Sequence, residues 1–99
     1  ELEGPGTIAS AMTDNGFELR HGENLREHYA FTLREWARNL DASWDAAVAE
    51  VGLAKARVWR LYLVACQVGF ENNTVQLHQL LGVHLGPDNR SGMPLRPDW

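Results

Sequence analysis

Cysteine is nearly missing from this chain: Cys66 stands alone among 99 residues, so no internal disulfide can form and a reducing compartment is expected. No apolar run approaches the roughly 18–20 residues that cross a bilayer, and the N-terminus lacks the charged and apolar regions of a signal peptide. A soluble, cytoplasmic protein is the expectation. Basic charge is also scarce: nine Lys and Arg against 13 Asp and Glu leave a net charge of −4. That balance supplies no polybasic membrane patch and argues against nucleic acid as a partner. There is no glycine-rich phosphate loop, no paired-cysteine zinc pattern, no serine nucleophile in a strand-to-helix elbow and no internal repeat.

What is present suffices for one core. At 99 residues and 44% hydrophobic composition, a single domain is expected to bury roughly 60–70% of its unfolded surface, a narrow margin. The opening Glu1-Leu2-Glu3-Gly4-Pro5-Gly6 has no initiator methionine and reads as the interior of a longer protein, so a fragment is expected.

Hydrophobic periodicity predicts the elements. Thr7 is a good N-cap and Asn15-Gly16 a helix stop, which gives a short helix over 7–15. Phe17, Leu19 and Leu25 on odd positions predict a half-buried strand over 17–25. From Arg26, the residues Tyr29, Leu33, Trp36, Leu40, Trp44, Ala47 and Val51 recur at steps of three and four, one stripe on a helix that Gly52 ends. Arg34, Glu35, Arg38, Asp41, Asp45 and Glu50 fall off that stripe and read as its solvated face. Apolar residues cover most of the circumference of the next helix, about 53–72, so it is expected to be largely buried, with Asn72-Asn73 turning the chain out of it. Alternation then predicts a strand over 74–85, and the Gly- and Pro-rich residues 86–99 read as a flexible tail onto which little can pack, though Leu95 and Trp99 could fold back. The expected fold class is therefore α+β: helix, strand, two long helices, strand.

Three blocks carry a resemblance: His28-Tyr29-Ala30-Phe31-Thr32-Leu33-Arg34-Glu35-Trp36, then Trp59-Arg60-Leu61-Tyr62-Leu63-Val64-Ala65-Cys66-Gln67-Val68-Gly69-Phe70, then Val75-Gln76-Leu77-His78-Gln79. In this order and spacing they resemble the C-terminal part of the cyclopropane-fatty-acyl-phospholipid synthases and their mycolic acid relatives, S-adenosylmethionine-dependent class I methyltransferases. The resemblance runs from about Thr7 to Leu85. It implies that residues 1–85 are the end of a methyltransferase domain, that the two strands form the antiparallel hairpin closing its Rossmann-like sheet, and that about 27–73 are a helical insertion over the acyl-chain pocket. It further implies transfer of a methylene or methyl group to the double bond of an unsaturated acyl chain in a membrane phospholipid or related lipid, with peripheral membrane contact by the parent enzyme. The cofactor site would lie outside this chain, and the isolated chain is expected to be inactive.

By the same resemblance Tyr29 hydrogen-bonds a bicarbonate ion that serves as the base, while Leu33, Tyr62, Cys66 and Phe70 line the lipid pocket. Residue chemistry supports the first assignment: Tyr29 lies near a helix start, where free N–H groups favour an anion, and a phenol is a neutral donor. Spacing alone would make Tyr29 simply the first core residue of its stripe. Tyr62, Cys66 and Phe70 share a helix face at i, i+4 and i+8, which suits either a pocket wall or ordinary packing. Cys66 has no visible activating base, and His21, His28, His78 and His84 are too scattered for a metal site. The tail beyond Gly86 departs from the family pattern and marks a branch whose product, cyclopropane or methyl branch, these residues do not decide. The competing reading is a stand-alone helical module that binds a lipid or protein without chemistry. Strands and helices that lack their neighbours are also expected to self-associate.

Overall fold

The computed structural model describes residues 3–98, which form four helices and a two-stranded antiparallel sheet. The fold is α+β, as its sequence pattern predicts. The chain divides into two units, one comprising the residues up to Asn24 and from His78 onward, the other Leu25–Leu77.

In the first unit, α1 spans Pro5–Asp14 and begins earlier than the Thr7 cap predicts. Gly4 is the N-cap and Pro5 follows it, a position where proline's missing N–H and fixed φ cost nothing. The stop falls where Asn15-Gly16 predicts it. Gly16 takes φ 91°, the Gly16 N–H donates to the Thr13 carbonyl at 3.2 Å and the Phe17 N–H to the Met12 carbonyl at 3.1 Å, which is a Schellman closure. Strand β1, Glu18–Asn24, then pairs with β2, His78–Val83, in a register running from Glu18 opposite Val83 to Asn24 opposite His78. Both strands are shorter than alternation predicts. The register slips between Leu19 and His21, so Arg20 is the extra residue of a bulge and the simple odd-even rule fails there. Gly82 leaves room for what α1 brings to the sheet: a Cβ there would meet the end of Met12 and the Cβ of Phe17. The edge of the Phe17 ring meets His84, 6.0 Å between centroids.

In the second unit the predicted helix over 26–51 is two helices. Helix α2 covers Arg26–Ala42 and α3 covers Trp44–Val51, with Ser43 off helical geometry at φ −111°, ψ 27°. Gly52 then separates α3 from α4, Leu53–Glu71. Helices α2 and α4 run antiparallel, since Arg26 at the start of one reaches the end of the other. The buried side chains are Ala30, Leu33, Ala37 and Ala56. This displaces the predicted stripe: of its members only Leu33 is buried, while Trp36 is 47% exposed. Small alanines let the helix backbones approach, and bulky rings cannot occupy the same line, so they move to its rims.

Helix α4 is likewise not largely buried. Only Ala56 is fully covered, and Val58, Leu61 and Tyr62 are 65%, 70% and 57% exposed. The reason is geometric: α2 and α3 shield one side of a helix that is apolar on most sides.

Polar contacts hold the unit at both ends. Arg26 Nη1 donates to the Phe70 carbonyl at 2.6 Å and to the Glu71 carbonyl at 3.0 Å, placing a cation on carbonyls that α4 leaves unpaired. Toward the other end, Arg60 Nε and Nη2 donate to the two carboxylate oxygens of Asp41 at 2.7 and 3.3 Å. Asn73, at φ 64°, turns the chain out of α4, and the Asn72 side chain accepts from the Thr74 N–H and hydroxyl. The Leu25 N–H donates to the Leu77 carbonyl at 2.8 Å, bringing the unit's two ends together. Residues 86–98 contain no helix or strand; Leu95 is 98% exposed and does not pack back, and Trp99 lies outside the described residues.

Two outcomes follow. Gly52 sits at φ 87°, ψ 159°, a region essentially closed to side chains, so Gly52→Ala is expected to cost about 1–3 kcal/mol in urea-unfolding measurements. The hydrogen bond from Arg60, ahead of its charge, holds the Asp41 carboxyl below its ordinary 3.8. A carboxyl lowered by folding stabilises the fold above its unfolded value, so this contribution is intact above pH 3.8 and fades as pH falls through the lowered value. Asp41→Asn is expected to remove that part of the acid limb in a stability-versus-pH series.

Candidate functional site

All five residues singled out by sequence lie in the helical unit. Tyr29 enters from the first turns of α2, and its ring meets Phe70 of α4 edge-on at 4.9 Å between centroids and Trp36 at 5.8 Å. These are favourable T-shaped contacts across the helix pair. The Tyr29 N–H donates to the Leu25 carbonyl at 2.9 Å, so this backbone group is committed to the helix and only the phenol remains for a ligand. No hydrogen bond to that hydroxyl exists among the described residues.

Leu33, one turn beyond Tyr29, is 2% exposed and is the largest side chain completely enclosed. It is a core residue of this unit. Tyr62 and Cys66 face each other one turn apart on α4, and Trp59 meets the Tyr62 ring edge-on at 5.7 Å. The Tyr62 phenol is held above its ordinary 10.0, first by its hydrogen bond with Cys66, then by the charge on that sulfur, then by desolvation and by Tyr29. Cys66 is half-buried. The structure thus joins Tyr29 to Phe70 by ring contact and Tyr62 to Cys66 by a polar contact, with Tyr29 near enough to act electrostatically on Tyr62.

Sequence reasoning missed Arg26. It seals the end of α4 and, with Glu27, Ala30, Phe31 and Glu71, lines a groove of about 420 Å³. Its partners lie 44 and 45 residues away in sequence, so no local pattern could reveal them. Phe31 also carries the Arg34 guanidinium over its ring, 4.8 Å from the centroid. None of the five predicted residues lines this groove. Among the described residues no cluster of His, Cys, Asp or Glu could hold a metal ion, and no helix is long and apolar enough to cross a membrane.

An aromatic wall with one uncommitted phenol and a neighbouring thiol can hold an apolar chain and offer a single hydrogen bond to an anion. Comparison with known proteins identifies the family. The chain belongs to the mycolic acid cyclopropane synthetase family, whose model matches residues 1–80. It is 50% identical over its whole length to a probable fatty acid methyltransferase of Mycobacterium tuberculosis, of which it covers 23%. It is 37% identical over 94 residues to a probable fatty acid methyltransferase of Pseudomonas putida, of which it covers 24%. A sphingolipid C9-methyltransferase of Candida albicans is 33% identical over 74 residues, with 14% of its length covered. The chain therefore spans about a quarter of the length of its two more similar relatives. No solved structure matches it.

The Tyr62–Cys66 contact can be tested by titration. A thiol ordinarily ionises before a phenol, and the resulting negative sulfur opposes a second charge beside it. In a Tyr29→Phe background, which leaves Tyr62 the only tyrosine, adding Cys66→Ala is expected to lower the phenol's midpoint in an ultraviolet tyrosinate titration. An unchanged midpoint would contradict the contact.

Proposed function

We propose that this chain is the C-terminal segment of an S-adenosylmethionine-dependent methyltransferase that modifies the double bond of an unsaturated acyl chain in a phospholipid or mycolic-type lipid. The observation that carries the reading is the family match over residues 1–80, joined by relatives described as fatty acid and sphingolipid methyltransferases. On this reading β1 and β2 are the antiparallel hairpin that closes a class I methyltransferase sheet, and α2 to α4 form the helical insertion that covers the acyl pocket.

When bound, S-adenosylmethionine supplies an electrophilic methyl group and bicarbonate supplies a base. The cofactor site belongs to the remainder of the parent protein. This chain contributes the substrate side. Tyr29 orients the anion through its phenolic O–H, an uncharged donor that leaves the anion basic. That the hydroxyl has no hydrogen-bond partner among the described residues fits this role. Phe70, Tyr62 and Cys66 form the apolar wall along which the acyl chain lies, and Leu33 backs Tyr29 from the core. Once the double bond has taken the methyl group, a carbon one position along is electron-deficient and a proton must leave. Loss from the added methyl closes a cyclopropane; loss from the carbon that bears the methyl leaves a methyl branch on a retained double bond, and a hydride shift onto the electron-deficient carbon followed by loss from the methyl gives a methylene branch.

Because the site is completed only by the rest of the parent, the isolated 99-residue chain is expected to show no methyl transfer. In the longer protein, Tyr29→Phe is expected to lower turnover by about 100-fold, the scale of a positioned acid–base contact, with less effect on lipid binding. The check is transfer of labelled methyl from S-adenosylmethionine to phospholipid vesicles. Turnover within twofold of the unsubstituted enzyme would remove Tyr29 from the mechanism.

A further inference from the structure

The ring that meets Tyr29 is carried on the last turn of α4. Phe70 is the residue before Glu71, where that helix ends, and Tyr29 stands near the start of α2. Both partners of the 4.9 Å ring contact therefore sit where helices fray. The other ring beside Tyr29, Trp36, belongs to α2 itself and cannot fix Tyr29 relative to α4. The closing carbonyls of α4 are divided between backbone and side chain. The Asn72 N–H donates to the Val68 carbonyl at 3.0 Å, and the Thr74 and Val75 N–H groups donate to the Gly69 carbonyl at 2.9 and 3.3 Å. Arg26 Nη1 serves the next two, Phe70 at 2.6 Å and Glu71 at 3.0 Å. Its side chain is 22% exposed, against 76% for Glu27 beside it, so these charge-assisted bonds are less screened than those of a surface pair.

We propose that Arg26 is a positioning residue for the Tyr29 phenol: by holding the Phe70 carbonyl it fixes the ring against which Tyr29 is set. Arg26 lies three residues before Tyr29, on the same side of α2. One turn of α2 thus grips Phe70 twice, at its carbonyl through Arg26 and at its ring through Tyr29. An edge-on ring contact between two helix ends leaves the phenol free to shift, and a misplacement of about 1 Å at a reacting group can cost about 100-fold in rate. A carbonyl held from the helix that carries the phenol removes that freedom, and the cation also suits the negative end of α4. The role rests on the reading of Tyr29 as donor to a bound anion, and it names what sets that donor's place.

Two measurements on the longer protein test it. Arg26→Met keeps an apolar stem and removes every N–H donor. With 3-fluorotyrosine incorporated, the fluorine signals of Tyr29 and Tyr62 are identified by their loss in Tyr29→Phe and Tyr62→Phe. Arg26→Met is expected to move the Tyr29 signal toward its position in the unfolded protein, because the shielding by Phe70 is averaged, and to leave the Tyr62 signal in place, since Tyr62 is held by Trp59 and Cys66 away from the helix end. In the vesicle assay Arg26→Met is expected to lower kcat about tenfold with the lipid KM within twofold, and to cost less than twofold more when Tyr29 is already Phe, because no phenol is then left to place. If Arg26→Met does not fold, Arg26→Gln, which keeps one amide donor, goes through the same cycle with a smaller loss and the same non-additivity. Fluorine signals that both stay, or that both move together, overturn the proposal. So does a kcat loss of equal size with Tyr29 and with Phe at that position, the mark of a merely structural role. Turnover that survives Tyr29→Phe removes the reading of Tyr29 and the purpose of Arg26 with it, whereas loss in Tyr29→Phe with an additive Arg26→Met overturns this inference alone.

Discussion

The close approach of α2 and α4 is the constraint on which the helical unit depends. Ala30, Leu33 and Ala37 on one helix and Ala56 on the other are its buried residues, and three of the four are too small to hold the backbones apart. With the line of contact so narrow, every bulky ring of the pair must sit at its margin. Tyr29, Trp36 and Phe70 therefore meet one another edge-on, instead of being enclosed singly. The polar contacts follow the same geometry: Arg26 reaches the end of α4 and Arg60 reaches Asp41 because the helices run side by side in opposite directions.

The sheet unit is held by different means. A Schellman closure at Gly16 turns the chain from α1 into β1, while Met12 and Phe17 settle over Gly82, which has no side chain to obstruct them. Here one backbone geometry and one missing Cβ do what the alanine line does in the helical unit. In both places a small residue is where large neighbours meet.

The functional reading rests on the family match, and the residues it concerns lie in the helical unit. Its margin supplies an aromatic wall and an uncommitted phenol, and these belong to a chain whose family match covers 80 of its residues. A pocket for an acyl chain is made of the same residue types as a core, so composition cannot separate the two. The enclosure of Leu33 and the exposure of Tyr62 show that residues the resemblance assigns to one pocket differ in their surroundings.

The sequence by itself determined the α+β class, the element order apart from the division of the helix over 26–51, the stops at Gly16 and Gly52, the exit at Asn73 and the family, because these depend on local backbone preferences, short-range periodicity and motif spacing. It misjudged what depends on neighbours. The stripe beginning at Tyr29 has the right period but the wrong phase, since periodicity ranks residues by hydrophobicity while close packing selects the small ones. Apolar coverage of α4 predicted burial, but burial needs a partner on every side, and the tertiary structure supplies partners on one. The break at Ser43, the bulge at Arg20 and the reach of Arg26 to carbonyls 44 and 45 residues away were likewise decided only by the fold, through contacts between segments distant in sequence or departures from regular geometry that residue type alone does not announce.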